Sequence, residues 1–448
     1  MKLPPETSRI YVHVGLTIFI LLMVVPSIPL RAGAISAQVT TWARIYGGSG
    51  FDQASRAAQT SDGGYIVAGY TTSFGAGSAD LWIIRLDSSG RVEWQKAYGG
   101  RGADIPSSIQ QTADGGYMVA GYTDSFGPPA GSWILKLDPV GNIVWQEKDP
   151  TIGAAAIEQT PDGGFIVSGG AYTILKLDSM GNRVWEKSYG RGFAYSVKQT
   201  SDRGYIVAGD NGIDGAGGLD AWIIKLDAAG SVLWQKTYGG ADNDGAYSVE
   251  QTSDGGYVVA GYSGSFGGGF TDGWVFKIDS SGSMVWQKAY GGRTQGAFSV
   301  LGSVTKTRDG GFVLAGYTSG FGAGLNDGWV FKMDETGNVQ WARTFGGRGY
   351  DAVGSVEQAS DGGFIVSGYL QPNPIVSAST DAFVLKLDPS GNIPNCHIMG
   401  LSSPVVTGTN ATTTTTTAPG TDISSIMTLT NATITPTSAV SRVLCFRP

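Results

Sequence analysis

The chain has 448 residues, 70 of them glycine, with aromatics at 11% and charged residues at only 15%. That balance excludes a charge-driven disordered chain, and a formal charge of −7 argues against nucleic acid or an anionic membrane surface as the main partner. Two histidines and two cysteines leave little material for a zinc centre or a histidine-based catalytic site.

Residues 1–37 open the chain as an address. Lys2 and Arg9 precede an apolar stretch from Ile10 to Leu30, and small residues follow from Ala32 to Ala37, the pattern of an export signal. An uncleaved anchor is the competing reading, because the stretch is long enough to span a bilayer of ~30 Å. Either way the expected location of the remainder is secreted or cell-surface, with membrane contact only through this segment.

Residues 38–393 are built from repeats. Trp42, Trp94, Trp145, Trp185, Trp234, Trp286 and Trp341 each open a phrase such as Trp234-Gln-Lys-Thr-Tyr-Gly-Gly240. A run like Ser248-Val-Glu-Gln-Thr252 follows, then Ser253-Asp-Gly-Gly-Tyr-Val-Val-Ala-Gly-Tyr262, a looser loop, and Asp272-Gly-Trp-Val-Phe-Lys-Ile-Asp279. Four short runs rich in β-branched and aromatic residues, separated by glycine turns, form a four-stranded antiparallel meander. No window keeps a helical period, so the expected fold is all-β: a seven-bladed β-propeller of four-stranded antiparallel blades. The first tryptophan phrase precedes any complete unit and the last unit lacks one. Trp42–Tyr46 is therefore expected to supply the outer strand of the blade formed by residues from about 353 to 388, closing the ring.

The turns carry their own expectations. In the Asp-Gly-Gly turn the first glycine is replaceable, since Arg203 stands there in the fourth copy, whereas Gly64, Gly116, Gly164, Gly204, Gly256, Gly311 and Gly363 recur. The second position is accordingly assigned a positive φ. The aspartate of each Leu-Asp-x-x-Gly turn is expected to accept bonds from its own backbone. The ladder of Arg85, Lys136, Lys176, Lys225, Lys277, Lys332 and Lys386 is expected to pair within blades rather than bind an anion. All twelve tryptophans fall on the repeat and are assigned to packing between blades rather than to ligand stacking.

The phrases Gln-Thr-Ser-Asp-Gly-Gly-Tyr-Ile-Val-Ala-Gly-Tyr and Trp-Gln-Lys-Thr-Tyr-Gly-Gly resemble those of secreted β-propeller-repeat proteins of archaea and bacteria. That resemblance implies the repeat fold and no settled activity. Leu226-Asp-Ala-Ala-Gly-Ser-Val-Leu-Trp234 is distantly similar to quinoprotein-like repeats, but their Thr-Gly dipeptide occurs only at Thr336-Gly337. No cofactor is expected.

Residues 394–448 turn to Ser, Thr, Ala and Pro, with an unbroken run from Thr412 to Thr417. Such a stretch reads as an extended stalk with, at most, a small β appendage. Asn410 and Asn431 open the glycosylation sequons. Cys396 and Cys445 bracket the tail and most simply pair with each other, which contributes ~4 kcal/mol by the chain-entropy model.

The repeat itself contains no histidine or cysteine, so a Ser-His-Asp or Cys-His mechanism and a histidine-held metal are not expected there. Both hairpin turns of each unit should lie on one face of the ring, and the variable loops on the other. Variable loops on a rigid scaffold are where binding sites sit. The candidate ligand-binding residues are therefore Asp52, Asp104, Asp244 and Asp351, which share one position, and Phe74, Phe126, Phe266 and Phe321 of the loops. The competing role for all eight is to order those loops. The sequence as a whole reads as a monomeric exported binding or scaffold module rather than an enzyme, contacting envelope polysaccharide or another surface protein. A carboxylate-dependent polysaccharide hydrolase or lyase is one alternative, requiring two carboxylates within ~10 Å of each other in the central groove. A structural envelope component is the other.

Overall fold

Four runs joined by tight turns have one cheap way to satisfy their backbone groups, which is to pair in chain order. In the first blade, β2 (Asp52–Gln59), β3 (Tyr65–Thr71), β4 (Asp80–Leu86) and β5 (Val92–Gly99) form such an antiparallel meander. The computed structural model describes residues 40–211, 217–292, 296–371, 379–394, Cys396 and seven short backbone strands between residues 399 and 443. The export-signal expectation falls on residues 1–37, which lie outside those described. Asn410, Asn431 and Cys445 also lie outside them.

Seven blades recur along the chain, and none of the described residues is helical. The seventh is completed by β1 (Trp42–Gly47), which pairs antiparallel with Asp381–Leu387 from Trp42 opposite Lys386 to Tyr46 opposite Ala382. The N-terminal strand thus closes the ring. Each interface between neighbouring blades holds its own apolar cluster. Ile66, Ala68, Leu81 and Ile83 of the first blade, for example, pack on Tyr117, Val119, Trp133 and Leu135 of the second. Because both faces of every sheet are covered, second and third strands read as continuous apolar runs rather than alternating ones.

The outer-strand tryptophans explain one glycine of the repeat. Trp42, Trp94 and Trp145 lie flat over Gly90, Gly141 and Gly181 of the following blades, where a Cβ would come within about 3 Å of the indole. Those glycines also take φ of 77, 77 and 88°. The tyrosine four residues on clamps the same turn: Tyr46 donates to the Gly90 carbonyl and Tyr98 to that of Gly141, both at 2.7 Å.

The Asp-Gly-Gly turn corrects the assignment made from the sequence. Positive φ belongs to the first glycine, at 86° for Gly63 and 81° for Gly115, and Arg203 takes 68° at the same place. The second glycine recurs for want of space. A Cβ on Gly116 would sit 2.2 Å from the Leu137 carbonyl oxygen and 2.5 Å from Lys136 Nζ.

At the axis, the glutamine ending the inner strand ties its blade to the one before in five of the seven blades. Gln111 Oε1 accepts from the Ser61 amide at 2.8 Å, and Gln59 Oε1 accepts from Ser360 at 2.6 Å across the closure. The third blade has Pro161 at that place, which has no N–H to give, and Gln199 Oε1 is left without a partner.

The C-terminal segment is not a free stalk. It lays a fifth strand on the outer edge of every blade: 399–401 on the sixth, then 405–408, 412–415, 421–422, 428–429 and 433–436 on the fifth to the first, and 440–443 on the seventh. Each outer strand otherwise ends in unpaired N–H and C=O groups, and an extended threonine-rich chain satisfies them.

Candidate functional site

The candidate aspartates begin the inner strands, on the loop-bearing face. Asp52 accepts from the Thr71 hydroxyl, from Ser73 Oγ at 2.7 Å and from the Gly48 amide at 2.7 Å. Asp104 repeats the pattern with Thr123, Ser125 and Gly100, and Asp244 with Ser265 and Gly240. Asp351 takes the Gly347 and Gln371 amides instead. It lacks the hydroxyl partner because Leu370 stands where Thr71 stands in the first blade. Burial, with Asp327 nearby, pushes the Asp351 carboxyl up to about 6. All four are at most 1% exposed, so they hold loops to strands.

The phenylalanines serve the same end. Phe74, Phe126, Phe266 and Phe321 lie 5.9, 5.1, 5.6 and 5.2 Å from Trp82, Trp133, Trp274 and Trp329 of their own blades. They cap the buried indoles and order the loops that carry them.

A set of phenols, half-buried except for the exposed Tyr122, lies on the same face. The last residue of each Ala-Gly-Tyr phrase, next to the loop end of the second strand, is Tyr70, Tyr122, Tyr262, Tyr317 or Tyr369, with Gly170 and Asp210 in the third and fourth blades. Inner strands of six blades carry a β-bulge, between Ala54 and Arg56 in the first, and in the fourth and fifth the extra residues are Tyr195 and Tyr247. Bulges re-aim side chains, and these two meet with ring centroids 4.7 Å apart. Phe193 stacks beside Tyr195 at 4.8 Å and Tyr262 beside Tyr247 at 5.4 Å. Tyr195 donates to Asp210 at 3.1 Å. Burial, and secondarily the neighbouring phenols, raise Tyr247 above the usual phenol range, Tyr262 and Tyr317 being its partners. Tyr369 and Tyr70 are raised in the same way, by burial and then by Tyr317 and Tyr369 respectively. An arc of phenols that remain protonated thus runs from the fourth blade through the seventh to the first. Sequence reasoning passed over it because each tyrosine follows an unbroken apolar run and reads as one more core residue. The available signal was that this position changes in two copies.

Below the arc the axis narrows to a cavity of about 80 Å³ bounded by all seven inner strands. Lys198 sits there between Glu250 at 3.1 Å and Glu158 at 3.5 Å, and Glu250 above all raises its pKa. Burial pushes Glu158 and Glu357 up and Arg56 down. Glu158 and Glu250 therefore meet the separation expected of a hydrolytic pair. Both are engaged by a lysine, in a space well below the ~300 Å³ of the smallest ordinary ligand pockets. On the turn side the axis widens into a polar depression of about 710 Å³. Its amides, Gln59, Gln110 and Gln111, are already spent on links between blades. Among the described residues no group of three or more histidine, cysteine or carboxylate side chains is placed to hold a metal ion.

No protein-family model matches the chain, and no curated protein matches it. Among solved structures it is similar to a protein of unknown function from Bacteroides caccae, at 15% identity over 55% of this chain and 93% of that one, with a TM-score of 0.35. It is also similar to the WD40 β-propeller domain of Doa1, at 13% identity over 77% of this chain and 95% of that one, TM-score 0.49. The Neurospora crassa Pan2 WD40 domain matches at 13% identity over 77% and 90%, TM-score 0.48. These are likenesses of fold, and the fold of this chain is a seven-bladed β-propeller of four-stranded blades.

Proposed function

We propose that this chain is an exported binding module whose loop-bearing face, centred on the tyrosine arc, takes envelope polysaccharide. The observation that carries the proposal is the run of phenols from Tyr195 and Tyr247 to Tyr369 and Tyr70 at the mouth of the axis. A tyrosine presents a flat apolar ring and a hydroxyl that both donates and accepts. A sugar ring presents the complementary pair, a face of C–H groups edged by hydroxyls. The surrounding loops add exposed apolar side chains, among them Phe51 at 43%, Tyr350 at 48% and Phe270 at 76%. The third blade, whose second and third strands are joined only by Gly170, Ala171 and Tyr172, lowers the rim on one side. A long chain entering there would lie along the arc instead of ending in it. The Glu158–Lys198–Glu250 cluster supports no hydrolytic step, because the lysine occupies the place a glycosidic oxygen would need.

Co-sedimentation with envelope preparations, intact and stripped of polysaccharide, tests the proposal. Binding should be lost on stripping, and the triple variant Tyr262→Ala, Tyr317→Ala, Tyr369→Ala should bind at least tenfold more weakly while melting like the wild type. Binding that survives stripping would replace the glycan with a protein partner. Unchanged binding by the triple variant would move the site away from the arc.

A further inference from the structure

The C-terminal segment visits the blades in strict reverse order, from the sixth to the first and then to the seventh, one full turn of the ring. Successive strands begin at residues 399, 405, 412, 421, 428, 433 and 440. The segment thus advances one blade per step. Its pairing is confined to the loop-side half of each outer strand, Lys236–Gly239 in the fourth blade and Arg343–Phe345 in the sixth.

The two ends of this path converge on one strand. Cys396 is not a free thiol, and it packs with Ile45 of β1 and Trp341 against the core between the sixth and seventh blades. The far end pairs with β1 itself, Val443 opposite Arg44 and Arg442 opposite Ile45. Cys445 follows that strand by two residues in the chain. With only two cysteines in the chain, no other intramolecular partner exists for Cys396.

We infer that residues 396–445 are a belt, closed by a Cys396–Cys445 disulfide into a covalent hoop around the propeller. The consequence is mechanical. Each belt strand is only two to four residues long and offers few backbone bonds, so any one of them would lift readily from an open chain. A closed hoop has no free end from which its strands can peel one after another, and the seven weak pairings act as one. The hoop also covers the sheet edges through which another chain would add a strand or a second copy would begin a fibre. Reduction opens it and exposes seven edges together.

The full-length chain, produced in an oxidising compartment, provides the test. Peptide mapping without reduction should recover Cys396 and Cys445 in one linked fragment. Amide exchange should be slow in Lys236–Gly239 and Arg343–Phe345, and should accelerate at least tenfold in the Cys396→Ser, Cys445→Ser variant while inner strands such as Asp52–Gln59 are unaffected. Mild reduction of the folded wild type should produce the same local acceleration, which keeps the test open if the variant fails to fold. Unlinked cysteines, or outer-strand exchange indifferent to the linkage in both experiments, would overturn the hoop.

Discussion

The two faces of the ring are built from the same seven copies, yet only one of them stays sevenfold. On the turn face, the aspartate of each Asp-Gly-Gly turn meets the lysine or arginine of its own third strand in every blade. Lys136–Asp114, Lys225–Asp202 and Lys386–Asp361 lie at 2.9, 2.9 and 2.8 Å. On the loop face the repetition decays. The inner-strand aspartate becomes Ser299 in the sixth blade, Thr71 becomes Leu370 in the seventh, and the tyrosine position becomes Gly170 and Asp210. The difference separates two kinds of residue. What every blade needs in order to pack recurs in all seven, as the turn-face pairs do. A position kept in only some blades, such as that of Asp52 or of Tyr70, serves its own loop or a partner, and burial tells the two apart.

The largest way to break the turn face is a Cβ at the second glycine. Gly116→Ala drives a methyl into the Leu137 carbonyl and the Lys136 ammonium, and should cost ~3 kcal/mol in denaturant unfolding. Gly115→Arg, one residue earlier at φ 81°, should cost only about 1 kcal/mol, since Arg203 already occupies that place in the fourth blade. Equal losses would remove the distinction between a glycine needed for its φ and one needed for its missing side chain.

How far the sequence could be read follows the same line. Strand order, blade count and closure by Trp42–Tyr46 were all legible, because they rest on periodicity and on what is missing at each end. The turn glycine was placed one residue off, because recurrence was taken as a sign of positive φ when it marked lack of space. The tail's alternation was legible as β, but an isolated strand carries no mark of the edge it will join. The tyrosine arc was hidden because an aromatic at the end of an apolar run looks like core until the bulges that re-aim its neighbours are known.

A smaller perturbation sharpens the contrast on the loop face. The Asp351 carboxyl is raised to about 6, so the folded chain holds that proton in a window where the unfolded chain has released it. Stability should therefore fall by about 3 kcal/mol as pH rises from ~4 to ~6, and level off above. Leu370→Thr supplies the hydroxyl that Thr71 gives Asp52, and should flatten the slope in thermal melts taken across that window. An unchanged slope would mean that the missing hydroxyl is not what keeps the proton on Asp351.

The smallest effect belongs to a single pair on the turn face. Asp114 is held down to about 2, against the opposing pull of its partial burial, by the Thr112 hydroxyl, Lys136 and the Gly116 amide. A depressed carboxyl stabilises the fold above its unfolded value and loses that contribution as pH falls through the folded one. The Asp114 side chain is 63% exposed, so water screens the pair, and Asp114→Asn should cost less than ~1 kcal/mol at pH 7. Wild type and variant should converge as the pH approaches 2. Asp162 and Asp202 are lowered to the same value by the same set of partners, so the acid limb of the wild-type profile should be steep where any one substitution barely moves it. A turn face of weak pairs repeated in register resists acid collectively, whereas the loop face, where each blade differs, should respond to each substitution singly.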